Sequence, residues 1–145
     1  MARVSTYLNF DGKCEEAFLF YKSVFGTEFS RPFMKFKDLP AAPGQAPLPP
    51  GVSELVINVA LPLPRGHVLM GADAPSQLGM TLVTGNNVHL TLELDTRAET
   101  RLLFASLGAG GTVRMELQDQ FWGDYYGQLQ DRYGVWWMFN CHEKA

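Results

Sequence analysis

Phe121-Trp122-Gly123-Asp124-Tyr125-Tyr126-Gly127-Gln128-Leu129-Gln130-Asp131-Arg132-Tyr133-Gly134-Val135-Trp136-Trp137-Met138-Phe139-Asn140 is the stretch that decides the fold. It holds all three tryptophans, three of the five tyrosines and three glycines. Asp131 to Gly134 reads as a hairpin connection, so a strand is expected on each side of it. Side chains alternate along a strand. Val135, Trp137 and Phe139 therefore share one face of the second strand, and Trp136, Met138 and Asn140 share the other. A strand bulky on both faces needs cover on both. Helices supply it on one side, and the face with Trp, Met and Asn is the candidate wall of a cavity, the bland alternative being that these aromatics are core.

Working outward, 145 residues suggest one domain with an adequate core and no need of staples. A net charge of −3 and the absence of a basic run argue against nucleic acid or an anionic membrane as partner. The first residues, Met1-Ala2-Arg3-Val4-Ser5, lack the apolar core of a signal peptide, and no apolar run approaches a membrane span, so a cytoplasmic protein is expected. Cys14 and Cys141 fit neither a zinc spacing nor a disulfide framework and read as packed thiols.

Taken in order, Val4 to Phe10 alternates as a strand, and Asp11 is the expected cap of a helix running from about Cys14 to Gly26. Its apolar positions Cys14, Ala17, Phe18, Tyr21, Val24 and Phe25 recur at three and four. Glu28 to Phe36 reads as an edge or bulged strand because it contains Pro32. Asp38 to Val52, with five prolines, reads as a long exposed loop, a lid, a subunit contact or a tolerated insertion. Ser53 to Leu61 and His67 to Ala72 read as strands. After a turn-rich link, Val88 to Asp95 alternates as a half-buried strand with His89, Thr91 and Glu93 on its polar face. Thr96 and Glu99 form a capping box for a helix ending at Gly108, with Ala98, Leu102, Leu103, Ala105 and Leu107 as its inner face. Strands follow over 112–117, 125–130 and 135–141. Each half, about 1–72 and 87–145, is strand, helix, strand, strand, strand. The fold class expected is α+β, two βαβββ modules making a curved eight-stranded mixed sheet with helices outside and a cup within.

Phe10-Asp11-Gly12 leading into Glu16-Ala17 and Phe20-Tyr21, together with Phe-Trp-Gly, Tyr-Gly and Asp-Arg-Tyr-Gly-Val-Trp-Trp near the C-terminus, resembles the vicinal oxygen chelate superfamily across the whole chain. More narrowly it is similar to the PhnB-like branch, relatives of glyoxalase I, bleomycin-resistance and extradiol dioxygenase proteins. The resemblance implies four metal-ligand places on the first and fourth strands of each half. Laid onto this chain they fall on Thr6, Met70, His89 and Met138. Only His89 is a good donor, so no metal cofactor is expected, the alternative being a divalent ion at His89. A register error of one step brings Tyr7, Asn9 or Asn140 inward, and none of them is a carboxylate.

His89, with Glu93 on the same face, is the candidate base, or else a structural histidine. Tyr126 is the candidate polariser. Trp122, Tyr125, Tyr126, Trp136 and Met138, with Thr6, Met70 and Glu93, line the expected cup for a small aromatic or amphipathic ligand. His67 and His142 read as solvated strand ends. Gly108-Ala109-Gly110-Gly111 follows a helix rather than a strand, so it is a cap and turn and not a phosphate loop. The same argument counts against the methyltransferase label sometimes attached to this branch. A homodimer is expected. Two functions stay open: a protein that only binds its ligand, and, as the resemblance implies, a metal-dependent or metal-free lyase, isomerase or dioxygenase.

Overall fold

The structure, a computed structural model, describes residues 2–145. The chain forms two compact units, the first ending at Val83 and the second beginning at Thr84. Among the described residues eight strands and two α-helices are present, as the pattern predicts. The α+β class with two βαβββ modules is the one expected, and hydrogen bonding gives each module four of the eight strands as its own mixed sheet.

In the first unit, β1 (Thr6–Phe10), α1 (Cys14–Phe25), β2 (Met34–Lys35), β3 (Val56–Pro62) and β4 (Val68–Asp73) give the sheet order β1-β4-β3-β2. β1 and β4 are parallel; β3 pairs antiparallel with β4 and with β2. The helix buries Cys14, Ala17, Phe18 and Tyr21, the stripe read from the sequence. Phe18 lies against Gly71, where a Cβ would stand 2.5 Å from the ring, so glycine is what allows helix and sheet to approach this closely.

Asp11 is not the helix cap. The residue before the helix is Lys13, which makes no capping bond, and Asp11 instead accepts from the Ser76 amide. The cap comes from Asp73, at the end of β4. Its Oδ1 accepts from the Gly12 and Cys14 amides at 2.9 and 3.0 Å, and its Oδ2 accepts from the Val56 amide at 2.9 Å. One buried carboxylate thus fastens the helix start, β4 and β3, satisfying donors that would otherwise be orphaned.

The strand expected over 28–36 shrinks to two residues, because Pro32 has no amide to donate and the backbone turns into a short 3₁₀ segment at Phe36–Asp38. The proline-rich loop is exposed over most of its length and is held by buried Val52 at its end; Val52 to Leu55 forms a turn, which delays β3 to Val56.

The second unit repeats the order with β5 (Leu90–Leu94), α2 (Arg97–Gly108), β6 (Thr112–Asp119), β7 (Tyr125–Gln130) and β8 (Trp136–Cys141), giving β5-β8-β7-β6. β5 and β8 are parallel, and β7 pairs antiparallel with β8 and β6. The Thr96 hydroxyl accepts from the Glu99 amide, the expected cap. The inner face of α2 is rotated from the expected one: Thr100, Phe104 and Leu107 are buried, whereas Leu102 is exposed. Thr100 returns its hydroxyl to the Thr96 carbonyl at 2.7 Å, and that satisfied hydroxyl lets a polar residue face the sheet. β5 starts two residues later than expected, leaving Val88 outside it and exposed.

The hairpin between β7 and β8 is built on Asp131. Its Oδ1 accepts from the Tyr133 and Val135 amides at 2.8 and 3.1 Å, and its Oδ2 takes the indole N–H of fully buried Trp137 at 2.9 Å. Gly108 to Gly111 is the expected helix end and turn. It packs so closely on the hairpin that a Cβ on Gly111 would stand 2.2 Å from the Gln130 carbonyl oxygen.

Candidate functional site

In each unit one face of the sheet carries the helix and the other does not. Pairing registers assign the residues. In the second unit Trp137, Phe139 and Cys141 pair with Leu129, Gly127 and Tyr125, and these face α2 through Leu107 and Phe104. The opposite row is Trp136, Met138 and Asn140 on β8, beside Gln130, Gln128 and Tyr126 on β7 and Thr91 and Glu93 on β5. This open face is half-buried along β7 and β8 and exposed on β5.

Its centre is Trp136 and Met138. Trp136 donates its indole N–H to the Gly85 carbonyl at 3.1 Å, and the Arg114 guanidinium and the His89 ring both lie 5.5 Å from its ring centre. Those contacts fix the indole plane. Met138 lies between Gln128 and Thr91, so an apolar strip is bordered by amides and hydroxyls. Gln128 donates to the Tyr126 hydroxyl at 2.8 Å, which leaves that phenol's own proton available. Trp122, half exposed in the β6–β7 turn, meets the Tyr126 ring at 6.0 Å.

The residues singled out in the sequence divide accordingly. His89, Tyr126, Glu93, Trp136 and Met138 share the open face of the second sheet, with Trp122 at its margin. Tyr125 does not join them. It points to the helix side, one residue out of phase with Tyr126, and the Arg97 guanidinium covers its ring at 4.3 Å. Glu93 forms no ion pair among the described residues, so the arginine pairing considered for it is absent there.

In the first unit Met70 lies on the open face with Tyr7 and Ala60. Thr6 faces the helix side with Leu69 and Leu61, and its hydroxyl meets His67 Nε2 at 2.8 Å. Thr6 and Met70 therefore do not share a site, and His67 is a half-buried partner rather than a solvated one. Tyr7 takes the place intended for Thr6, and its phenol reaches the Ile57 carbonyl at 3.4 Å.

A divalent ion does not fit these donors. First- and fourth-strand neighbours on the open faces are Tyr7 with Met70 and Thr91 with Met138, neutral hydroxyls beside thioethers. His89, just before β5, is the one imidazole at the four places the resemblance implies, and among the described residues no three His, Cys, Asp or Glu side chains come together. Such a set competes poorly with water for a hard or borderline cation. Cys14 is no nucleophile either, because burial first, and then the Asp73 and Glu15 charges, push its thiol well above the usual range.

Sequence reasoning missed one pair on the open face. Tyr125 pairs with Cys141, so Asp124 stands opposite His142 and both continue the row of Tyr126 and Asn140. Asp124 Oδ1 lies 2.6 Å from His142 Nδ1, and its Oδ2 accepts from Asn140 Nδ2 at 3.1 Å. Extending the alternation of Trp136, Met138 and Asn140 by one more step is the signal that finds His142. The hydrogen bonds from His142 and then Asn140 hold the Asp124 carboxyl below the usual carboxylate range.

This fold has known relatives. The family model described as the glyoxalase/bleomycin resistance protein/dioxygenase superfamily matches residues 3–139, and the chain belongs to that superfamily. It is 28% identical over 144 residues to Protein YjdN of Escherichia coli K12, covering 94% of this chain and 93% of that protein. Among crystal structures, protein PA1353 from Pseudomonas aeruginosa is 29% identical with a TM-score of 0.83, each chain being covered completely. A Bacillus cereus PhnB protein, described as a putative 3-demethylubiquinone-9 3-methyltransferase, is 26% identical with a TM-score of 0.75, over 97% of this chain and 99% of that one. The PhnB-like resemblance read from the sequence thus has a structural counterpart. No helix of the described residues is long and apolar enough to cross a membrane.

Proposed function

We propose that this protein binds a small planar or amphipathic molecule against the open face of its second sheet, without the metal ion that the superfamily commonly uses. The observation that carries this reading is the Trp136–Met138 strip: a fixed indole and a thioether, bordered by Gln128, Tyr126, Asn140 and His89. An aromatic surface with a few oriented polar groups at its rim suits a ligand with a flat apolar body and a polar edge. The donor chemistry above supports doing this without a metal. The methyltransferase description given to the Bacillus cereus PhnB protein is not adopted, since the glycine run at 108–111 lies after a helix and forms a turn. The reading extends to a cytoplasmic homodimer, for which a light-scattering mass equal to one chain at micromolar concentration would be the contrary result.

The test is a thermal-shift screen of planar aromatic and amphipathic compounds, followed by mass analysis of each hit after incubation. Wild-type protein is expected to be stabilised by a hit and Trp136→Ala to need about tenfold more of it, the worth of one aromatic contact. A hit that stabilises both proteins equally counts against this face. Near-stoichiometric zinc, nickel, manganese or iron, lost in His89→Ala, would overturn the metal-free part.

A further inference from the structure

We propose that Asp124 and His142 form a proton-accepting pair at one end of the open face, placed to take a proton from the molecule held against Trp136 and Met138. The inference rests on the reading of that face as a binding surface and adds a chemical role to it. Register puts Asp124 and His142 opposite each other on the face that carries Tyr126, Gln128, Asn140, Met138 and Trp136. An ionised carboxylate can only accept, so the 2.6 Å contact requires Nδ1 of the neutral imidazole to carry its proton and leaves the Nε2 lone pair exposed. Nε2 has no hydrogen-bond partner among the described residues, and the imidazole side chain is 72% exposed while Asp124 is only 16% exposed.

Asn140 completes the arrangement. By donating to Asp124 Oδ2 it fixes the second carboxylate oxygen, so the carboxylate cannot rotate away from the imidazole. A carboxylate held in this way selects the tautomer and offsets the positive charge that appears when Nε2 takes a proton. His89 has no such support. Its ring packs on Trp136, and among the described residues no carboxylate is bonded to it. Of the two imidazoles on this face, His142 is therefore the one built as a base. Glu93, opposite Asn140 on β5, adds a second negative charge at the same end.

The probe for this role is 5-nitrobenzisoxazole, a planar aromatic whose ring opening needs nothing but a base. The C3 proton passes to Nε2, the C–H electron pair completes a nitrile, and the N–O bond breaks with its pair on the phenolate oxygen. Release of the proton to water restores the imidazole. Wild-type protein is expected to show a second-order rate constant about a hundredfold above that of free imidazole, the lower end of what a positioned base contributes. His142→Gln should remove that excess, and Asp124→Asn should lower it about tenfold. His67→Gln, in the other unit, should stay within about twofold of wild type, since it changes no group on this face.

An independent readout is the ¹⁵N spectrum of His142, expected to show the Nδ1–H tautomer in wild type and the Nε2–H tautomer in Asp124→Asn. Wild-type turnover no faster than free imidazole, full turnover in His142→Gln, or an Nε2–H tautomer in wild type would each overturn the pair. Turnover that depends on His142 while saturating probe leaves the Met138 methyl resonance unmoved would support the pair and break the binding reading of the face instead.

Discussion

The two sheets have the same strand order, yet their open faces carry different chemistry. In the first unit that face shows Tyr7, Asn9, Ala60, Met70 and Ala72, small or isolated groups whose one reaching phenol is directed at a backbone carbonyl. The second carries Trp136, Met138, Tyr126, Gln128, Asn140 and His142, with Asp124 orienting the imidazole. What the units share is the fastening. Each buries one aspartate, Asp73 or Asp131, that accepts three N–H groups from segments which would otherwise end in orphaned donors. A frame repeated this closely leaves the open face as the part free to differ, and so the part where function is to be sought.

The largest effect should come from breaking the shared fastening. Asp131→Ala leaves two amides and the Trp137 indole without their acceptor, and Asp73→Ala leaves three amides likewise. Each should cost roughly 3 kcal/mol or more, because hydrogen bonds to an ionised group are worth about 1.5–3 kcal/mol and stranded donors add to that. Chemical denaturation is the measurement. A loss in one variant several times that in the other would show that the two aspartates are not equivalent.

Close helix–sheet approach comes next. Gly71→Ala sets a Cβ 2.5 Å from the Phe18 ring and 2.9 Å from the Leu8 carbonyl oxygen, whereas Gly127→Ala meets Leu117 at 2.9 Å and the Met115 carbonyl oxygen and Phe104 ring at 3.0 Å. Overpacking of this kind costs roughly 1–3 kcal/mol, and Gly71 should lie at the upper end because a ring clamped by β1 cannot retreat. A Gly71 variant as stable as wild type would show that α1 can slide.

Smaller in energy is the difference between the open faces themselves. Trp136→Ala should weaken ligand binding about tenfold, and Tyr7→Ala, on the corresponding face of the first unit, should leave it within about twofold. Equal losses would contradict assignment of the site to the second sheet.

Much of this was legible in advance, and the misses have physical causes. Alternation over Trp136, Trp137, Met138, Phe139 and Asn140 gave the right two rows, because a strand bulky on both faces has little freedom of register. In β1, Thr-Tyr-Leu-Asn-Phe alternates weakly, and Thr6 was placed one step out. Tyr125 and Tyr126 were assigned together although neighbours on a strand point oppositely. The α2 face was misjudged because Thr100 satisfies its own hydroxyl, which hydropathy cannot anticipate. Asp73 and Asp131 act across 59 and 6 residues of chain, and His142 meets Asp124 across 18; only the second of these separations is short enough to read as a local motif.

The smallest effect is a dependence on pH that compares the charged pairs of the two units. Asp124 is held below its ordinary value by hydrogen bonds from His142 and then Asn140; Glu54, in the first unit, is held below its own by Lys37 and then Lys35. A carboxylate whose folded pKa is depressed binds its proton more readily when unfolded. Its stabilising contribution is therefore complete above the unfolded value and is lost as pH falls through the folded one. Asp124→Asn and Glu54→Gln should each lower Tm slightly at pH 7, and both differences from wild type should shrink once pH drops below about 4. Glu54 is exposed, and Asp124 is paired with an imidazole that solvent reaches, so screening should keep the Tm differences to about a degree or two at most. A Tm difference that grows on acidification would reverse the sign and show that the lowered carboxyl is not what stabilises the fold. If Glu54→Gln behaves as expected and Asp124→Asn is silent at every pH, the Asp124–His142 contact does not form in solution, and the base proposed on this face loses its orienting partner.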